Sequence, residues 1–350
     1  MKRFKNKKIL ITGGTGSLGK ELVYSLLRNE EPKIIRIYDV DETEQFNFLQ
    51  ELKHDFRNDP KHYEDTVRFL LGDVRDKERL NRAVEGIDII IHTAALKHVG
   101  ACEYNPFEAV KTNVLGTQNI IDVAIDNNVG KIIFTSSDKA VNPSNTMGAT
   151  KLLAEKLMTA ANYYKGDRKC IFSSVRFGNV MGSRGSVIPL FTQQIKTKNP
   201  VTITEPTMTR FMMSMSQAVD LVFESVEMTQ GGEVFIFKMP VVNILDLAEV
   251  LIEGLAPKYG HRVEDIRINT IGTKPGEKMY EELMTEDEAA RSLEREDMFI
   301  IPPEMREELP DWDESKYNAT SIKSKDFISK DVLPITKEQI KSILRNDGII

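Results

Sequence analysis

The amino-acid sequence predicts an α/β protein, a doubly wound parallel sheet followed by a smaller α/β C-terminal substrate domain. Three observations carry that prediction. Short β-branched runs alternate with helical apolar patterns through the first half of the 350-residue chain, the signature of strand–helix–strand units. The first run ends directly in a glycine-rich turn that opens a helix. After about Gly178 the alternation becomes irregular, broken at Pro189, Pro200, Pro206, Pro240, Pro275 and the Pro302–Pro303 pair, where a second unit would be assembled. Strands are expected at 8–11, 34–38, 67–71, 87–91, 131–134 and 171–176. A further strand–helix unit, 234–238 then 244–254, is expected to rejoin the first domain. The division is therefore discontinuous: 1–180 plus about 212–255 for the larger domain, about 181–211 plus 256–330 for the smaller, and 331–350 as a C-terminal extension.

Composition narrows the class. With 41% hydrophobic and 29% charged residues the chain buries a large core. Net charge is −6 and the basic residues are dispersed apart from the stretch from Lys2 to Lys8, which gives no surface for nucleic acid or membrane. Cys102 and Cys170 lack any CxxC or Cys/His spacing, so neither a disulfide framework nor a metal site is expected. No apolar stretch approaches the roughly 18 residues that span a bilayer. A cytoplasmic enzyme is the expectation.

Thr12-Gly13-Gly14-Thr15-Gly16-Ser17-Leu18-Gly19 follows the first strand and leads into a helix with apolar positions Leu22, Val23, Leu26 and Leu27. Glycines allow the tight turn and close backbone approach, while free N–H groups and the helix dipole receive a pyrophosphate. Gly13, Thr15, Gly16, Ser17 and Leu18 are the candidate cradle. Asp39 ends the second strand about 20 residues past the last glycine, where a carboxylate accepts hydrogen bonds from adenosine ribose. It would repel a 2′-phosphate, and no Arg or Lys lies in 40–44. NAD is therefore preferred, with Arg36 keeping NADP possible. The GxxGxxG pattern resembles the fingerprint of the short-chain dehydrogenase/reductase superfamily, whose sheet is of the Rossmann type. By that resemblance Asp73 and Val74 contact adenine, and Ala94 and Ala95 lie against the cofactor.

Further segments narrow the likeness: Ala94-Ala95-Leu96-Lys97-His98-Val99, Thr112-Asn113-Val114-Leu115-Gly116-Thr117, Ser136-Ser137-Asp138-Lys139-Ala140-Val141, Arg176-Phe177-Gly178-Asn179-Val180-Met181-Gly182 and Lys274-Pro275-Gly276-Glu277-Lys278. Together they resemble the UDP-N-acetylglucosamine 4,6-dehydratase group of extended short-chain dehydrogenases, over roughly residues 5 to 305. Such a dehydratase oxidises C4, which acidifies C5–H; the C6 hydroxyl leaves as water and the hydride returns to C6. One base must reach C5 and one acid the leaving oxygen. Lys139 suits the base if its pKa is lowered, and Asp138 suits the acid if burial raises its own. Their place after the strand 131–134, at the carboxyl end of such a sheet, is where these sites open. The resemblance also assigns Asn113 and Lys151 to the cofactor's surroundings, and Lys97, Asn179, Arg210 and Glu277 to the UDP-sugar. His92 and His98 are read as structural.

Met147 departs from the superfamily pattern, in which Tyr-x-x-x-Lys supplies a tyrosinate base. Here Met147-Gly148-Ala149-Thr150-Lys151 keeps the lysine and lacks the phenol. The C4 proton must then go to Asp138, Lys139 or a water held by Ser137 or Lys151. By resemblance alone Met147 leans towards retention at C5. Two other readings compete: a nucleotide-sugar 4-epimerase or reductase, and a silent NAD- or UDP-sugar-binding protein. The helical stretches 106–127 and 148–164 occupy the places where relatives form a four-helix contact, so a homodimer or larger homo-oligomer is expected.

Overall fold

The computed structural model describes residues 2–273, 276–322 and 325–350. Lys274 and Pro275, which open the Pro-Gly-Glu-Lys turn, lie outside the described residues. Strands β1 (Lys8–Thr12), β2 (Ile34–Asp39), β3 (Val67–Leu71), β4 (Ile89–His92), β5 (Lys131–Ser137) and β6 (Ile171–Phe177) pair in parallel in the order 3-2-1-4-5-6. Val234–Phe237 adds a parallel strand beside β6. Antiparallel Met298–Ile301, Leu293–Glu294 and Thr320–Ser321 then complete a ten-stranded sheet.

The period of two explains why the strands read as continuous apolar runs. Ile9 and Ile11 of β1 face one layer, with Leu22, Val23 and Leu26 of helix α1 (Ser17–Asn29); Leu10 faces the other, with Ile120 and Ile121 of helix Gly116–Asp126. Both faces of the sheet are covered, so the central strands bury residues on both faces. β4 is buried along its whole length.

A smaller core gathers Ile188, Phe191 and Ile195 of helix Val187–Lys196 against Leu247 and Leu251 of helix Ile244–Leu255. Helix Lys337–Asn346, within the stretch read as an extension, buries Ile340 and Leu344 in that same core. Conversely, the strands of 293–301 and 320–321, within the stretch assigned to the smaller domain, extend the large sheet. Thr209–Met213 pairs with both Asn179–Val180 and Val241–Asn243, tying the two units together.

One buried ion cluster locks the larger unit. Arg176 on β6 is 1% exposed and donates to Glu155 Oε1 and Oε2 (3.1 and 2.7 Å), to Glu288 Oε2 and Oε1 (3.0 and 3.1 Å) and to Leu283 O (2.7 Å). It thereby joins the central sheet, helix Thr146–Tyr164 and helix Glu286–Arg291.

Candidate active site

A cleft of about 1040 Å³ opens at the carboxyl ends of the parallel strands, spanning the point where strand order reverses between β1 and β4. One part of its wall is the glycine turn. Gly13 has φ +67°, and a Cβ there would stand 2.7 Å from Ala94 N; a Cβ on Gly19 would stand 2.6 Å from Gly13 O. Only glycine lets the turn pass this close to the strand β4 exit, and the helix N-terminus it leads into suits a pyrophosphate. Thr15, Gly16, Ser17 and Leu18 share the wall, as do Ala94 and Ala95, which the superfamily resemblance implied. Such a cradle fits a dinucleotide.

Asp39 stands at the end of β2, on the cleft wall. Its Oδ2 accepts from Thr15 N (3.0 Å) and Thr15 Oγ1 (2.7 Å), which fixes the carboxylate beside the turn. Arg36 does not reach this place; its guanidinium donates to Ala83 O (2.8 Å) and Glu85 O (2.7 Å). That removes the sequence-level reason for keeping NADP open. Asp73 also lines the cleft, but its carboxylate is held by Arg75 N (2.9 Å) and Arg75 Nε (2.7 Å). Burial pushes its pKa up, and these bonds to Arg75 outweigh burial and hold it below the usual range. Val74 packs beneath, against Gly116. Asn113 sits in a π-helical turn, Val110–Leu115, and is 1% exposed. Its Oδ1 accepts from Leu96 N (2.8 Å), and its Nδ2 donates to Leu96 O (2.9 Å) and Thr150 Oγ1 (3.0 Å). It braces the loop after β4 from behind instead of touching the cleft. His92 is likewise structural: burial, then the nearby Lys151, push it down to about 3, and its two ring nitrogens meet Thr12 and Thr117.

The other part of the wall holds the proton-transfer candidates. Ser137, Lys139, Met147 and Lys151 line the cleft; Asp138 is 1% exposed and lies behind Lys139. Asp138 Oδ1 accepts from Ser137 Oγ (2.7 Å) and Lys139 Nζ (3.0 Å), while its buried Oδ2 has no hydrogen-bond partner among the described residues. The condition set for Lys139 as a base, a lowered pKa, is not met. Desolvation pulls it down, but Asp138 and then Glu281, whose Oε1 is 3.4 Å from Nζ, outweigh burial and raise it. Lys139 rests as an ammonium. Sequence reasoning missed Glu281 altogether; its only signal is its place four residues after Glu277.

Lys151 behaves oppositely. Its Nζ donates to Thr135 O (2.8 Å) and stands 4.5 Å from the centre of the Phe134 ring, and burial brings its pKa down to about 8. Because the folded value lies below the ordinary 10.5, the unfolded chain binds more protons between about pH 8 and 10.5, and stability rises with pH across that window. Lys151→Met is expected to remove this rise and to stabilise the protein at pH 7 by about 3 kcal/mol, read as urea midpoints at pH 7 and pH 10. Met147 is buried beside it with Cys102 and Ala109.

Of the residues expected to hold UDP, Lys97 and Asn179 line the cleft. Desolvation, then Arg184, lower the Lys97 pKa. Arg210 is already engaged: it donates to Lys278 O (2.8 Å), Thr209 O (2.9 Å) and Met279 O (3.3 Å), and its Nε is 3.3 Å from Glu281 Oε1. Glu277 accepts from Thr204 Oγ1 (3.2 Å). Neither stands on the cleft wall, because the segment carrying Glu277 folds back on Arg210. Arg184, which the sequence did not single out, donates from its N–H to Ser17 Oγ (3.0 Å) and from Nη2 to Thr15 O (2.9 Å), roofing the glycine turn.

Comparison with known proteins agrees with this architecture. An uncharacterized membrane protein of Methanocaldococcus jannaschii is 54% identical over 98% of this chain and 96% of its own length. Among the described residues, no helix here is long and apolar enough to cross a membrane. An inverting UDP-N-acetylglucosamine 4,6-dehydratase of Campylobacter jejuni is 43% identical, covering 87% of this chain and 85% of that one. A UDP-glucose 4-epimerase of Rickettsia felis is 39% identical, covering 98% and 96%. The X-ray structure of Pen from Bacillus thuringiensis superposes with a TM-score of 0.89 at 46% identity, covering 99% of both chains. Residues 9–303 match the polysaccharide biosynthesis protein family, and the chain belongs to that family.

Proposed function

We propose that this protein is an NAD-dependent UDP-N-acetylglucosamine 4,6-dehydratase, a hydro-lyase that forms a UDP-4-keto-6-deoxy-N-acetylhexosamine. The coarser statement, an enzyme that remodels the hexose of a nucleotide sugar, rests on the relatives at 43% and 39% identity. The finer one rests on a single observation: one cleft is lined by both the dinucleotide cradle and Lys139, to which the buried Asp138 is hydrogen-bonded from behind. NAD supplies the acceptor for the C4 hydride and its donor at C6. The larger unit holds this cofactor and the smaller one shapes the sugar nucleotide's place.

The chain's own residues do the proton work. The 3.0 Å contact from Lys139 Nζ to Asp138 Oδ1 allows a proton to pass from ammonium to carboxylate, leaving a neutral amine on the cleft wall and a protonated acid behind it. Lys139 then takes the C5 proton, and the Asp138 proton reaches the leaving C6 oxygen through the Ser137 hydroxyl, which lines the cleft and hydrogen-bonds Asp138 Oδ1 (2.7 Å). The neutral form of Lys151, within reach near neutral pH because burial brings its pKa down to about 8, takes the C4 hydroxyl proton that Met147 cannot accept. Lys97 meets the diphosphate. Elimination from C5–C6 has no part in epimerisation, so the pair favours dehydration over the 4-epimerase reading that the Rickettsia relative's name supports. For C5, inversion replaces the lean towards retention, supported by the name of the Campylobacter relative. Half-exposed Leu115 and Leu153 lie on or beside the two helices expected at a homodimer contact and support that assembly.

The test is incubation with UDP-N-acetylglucosamine and NAD in deuterated water, followed by mass and proton NMR spectra. Loss of one water with one deuterium at C5 and the coupling pattern of the inverted sugar is the expected result. A C4 epimer without loss of water would replace dehydration by epimerisation.

A further inference from the structure

The segment that follows the two residues outside the described part is stitched to the loop after β5. Gly276 O accepts from Asn145 Nδ2 (3.0 Å) and Ser144 Oγ (3.1 Å), Lys278 Nζ donates to Val141 O (2.9 Å), and Glu282 Oε2 accepts from Asn142 Nδ2 (3.2 Å). This docking delivers Glu281, 3% exposed, to the proton-transfer pair. Ser329 fixes its backbone from the other side: Glu281 N donates to Ser329 Oγ (2.9 Å) and Ser329 N to Glu281 O (2.9 Å).

Four charged groups then meet in one buried place. Glu281 Oε1 lies 3.4 Å from Lys139 Nζ and 3.3 Å from Arg210 Nε, and Asp138 faces Lys139 from the other side. Two carboxylates and two cations balance, which is the arrangement that makes burial of all four tolerable. Glu281 is the carboxylate that both cations share; without it Lys139 keeps only Asp138, and Arg210 keeps Glu277 at 3.8 Å.

We propose that Glu281 is a positioning residue of the proton-transfer pair, which holds Lys139 as a protonated ammonium and ties that state to the docking of the 276–282 segment. This rests on the assignment of Lys139 to the elimination. Arg210 in turn bridges Glu281 and, at 3.8 Å, Glu277. Burial and repulsion from Asp138 raise the Glu281 carboxyl above its usual range, while Lys139 and Arg210 oppose them.

Glu281→Gln keeps the shape and removes the charge, so Lys139 loses one of its two carboxylates and gives up its proton at lower pH. The Lys139 signal in ¹³Cε-lysine NMR, assigned by its absence in Lys139→Met, is expected to titrate at least about one pH unit lower in Glu281→Gln than in the parent protein. The ascending limb of the dehydration rate should move by the same amount. Glu281→Asp, which restores charge at shorter reach, should recover part of the shift. A Lys139 titration unmoved in a folded Glu281→Gln protein overturns the proposal. A shifted titration in a protein that dehydrates no UDP-sugar keeps the positioning role and overturns the dehydratase reading instead.

Discussion

Lys139→Met is expected to lower the rate of water loss from UDP-N-acetylglucosamine by about 10²- to 10⁴-fold, the contribution of one positioned proton-transfer group. Methionine matches the length of the lysine stem and preserves the wall, so sugar-nucleotide affinity should change little. What disappears is the basic side chain that both lines the cleft and is hydrogen-bonded to Asp138. Incorporation of deuterium at C5 should fall with water loss, because both need the same base. Calorimetric binding of UDP-N-acetylglucosamine alongside the product assay checks this. Equal loss of affinity and rate would place Lys139 in substrate binding; an undiminished rate would remove it from the mechanism. Asp138→Asn should give a loss of similar size for the other half of the pair.

The largest expected effect on stability is at Arg176, whose buried side chain does not line the cleft. Arg176→Met strips five hydrogen bonds from a fully buried guanidinium and leaves Glu155 and Glu288 facing each other without a cation. Breaking a buried ion cluster in this way costs about 3–5 kcal/mol, a large fraction of the stability of most domains. The loss should depend on pH. Burial pushes the Glu288 carboxyl up, and Arg176 more than reverses this, so in the parent protein Glu288 contributes stability above its unfolded pKa that is lost as pH falls. Once Arg176 is gone, burial acts unopposed and the penalty applies to the ionised form. The gap between variant and parent, read from urea midpoints, should therefore be widest at pH 8 and narrow towards pH 5. Adding Glu155→Gln and Glu288→Gln should recover much of the loss, since neutral amides need no buried counter-charge.

Most of the large sheet was legible from the sequence. Each expected strand from β1 to β6 is present within a few residues of its run, because in a sheet covered on both faces the apolar signal is continuous and local. The glycine turn was legible for a different reason. Its geometry demands residues without a Cβ, and that demand is written directly in Gly13, Gly16 and Gly19. The antiparallel edge Met298–Ile301 with Leu293–Glu294 was not legible, since short strands among prolines and charges carry little periodicity. Nor was the packing of helix Lys337–Asn346 on the smaller core, which two apolar side chains secure.

At the candidate site the division is sharper. The sequence by itself determined which residues stand at the carboxyl ends of the strands: Asp39, Ala94, Ser137, Lys139 and Asn179 follow their strands in register, and a parallel sheet brings such positions to one edge. Only the tertiary structure decided what those groups are chemically. Lys139 and Lys151 both line one cleft, the first half-buried and the second buried, yet one is held protonated by Asp138 and Glu281, and the other is brought near neutrality by burial against Phe134 and Thr135. Arg210, expected at the substrate, is spent on the carbonyls of Lys278 and Met279. The physical reason is common to all three. Charge in a low-dielectric interior is governed by partners within a few ångströms, and those partners come from segments that local sequence pattern does not bring together.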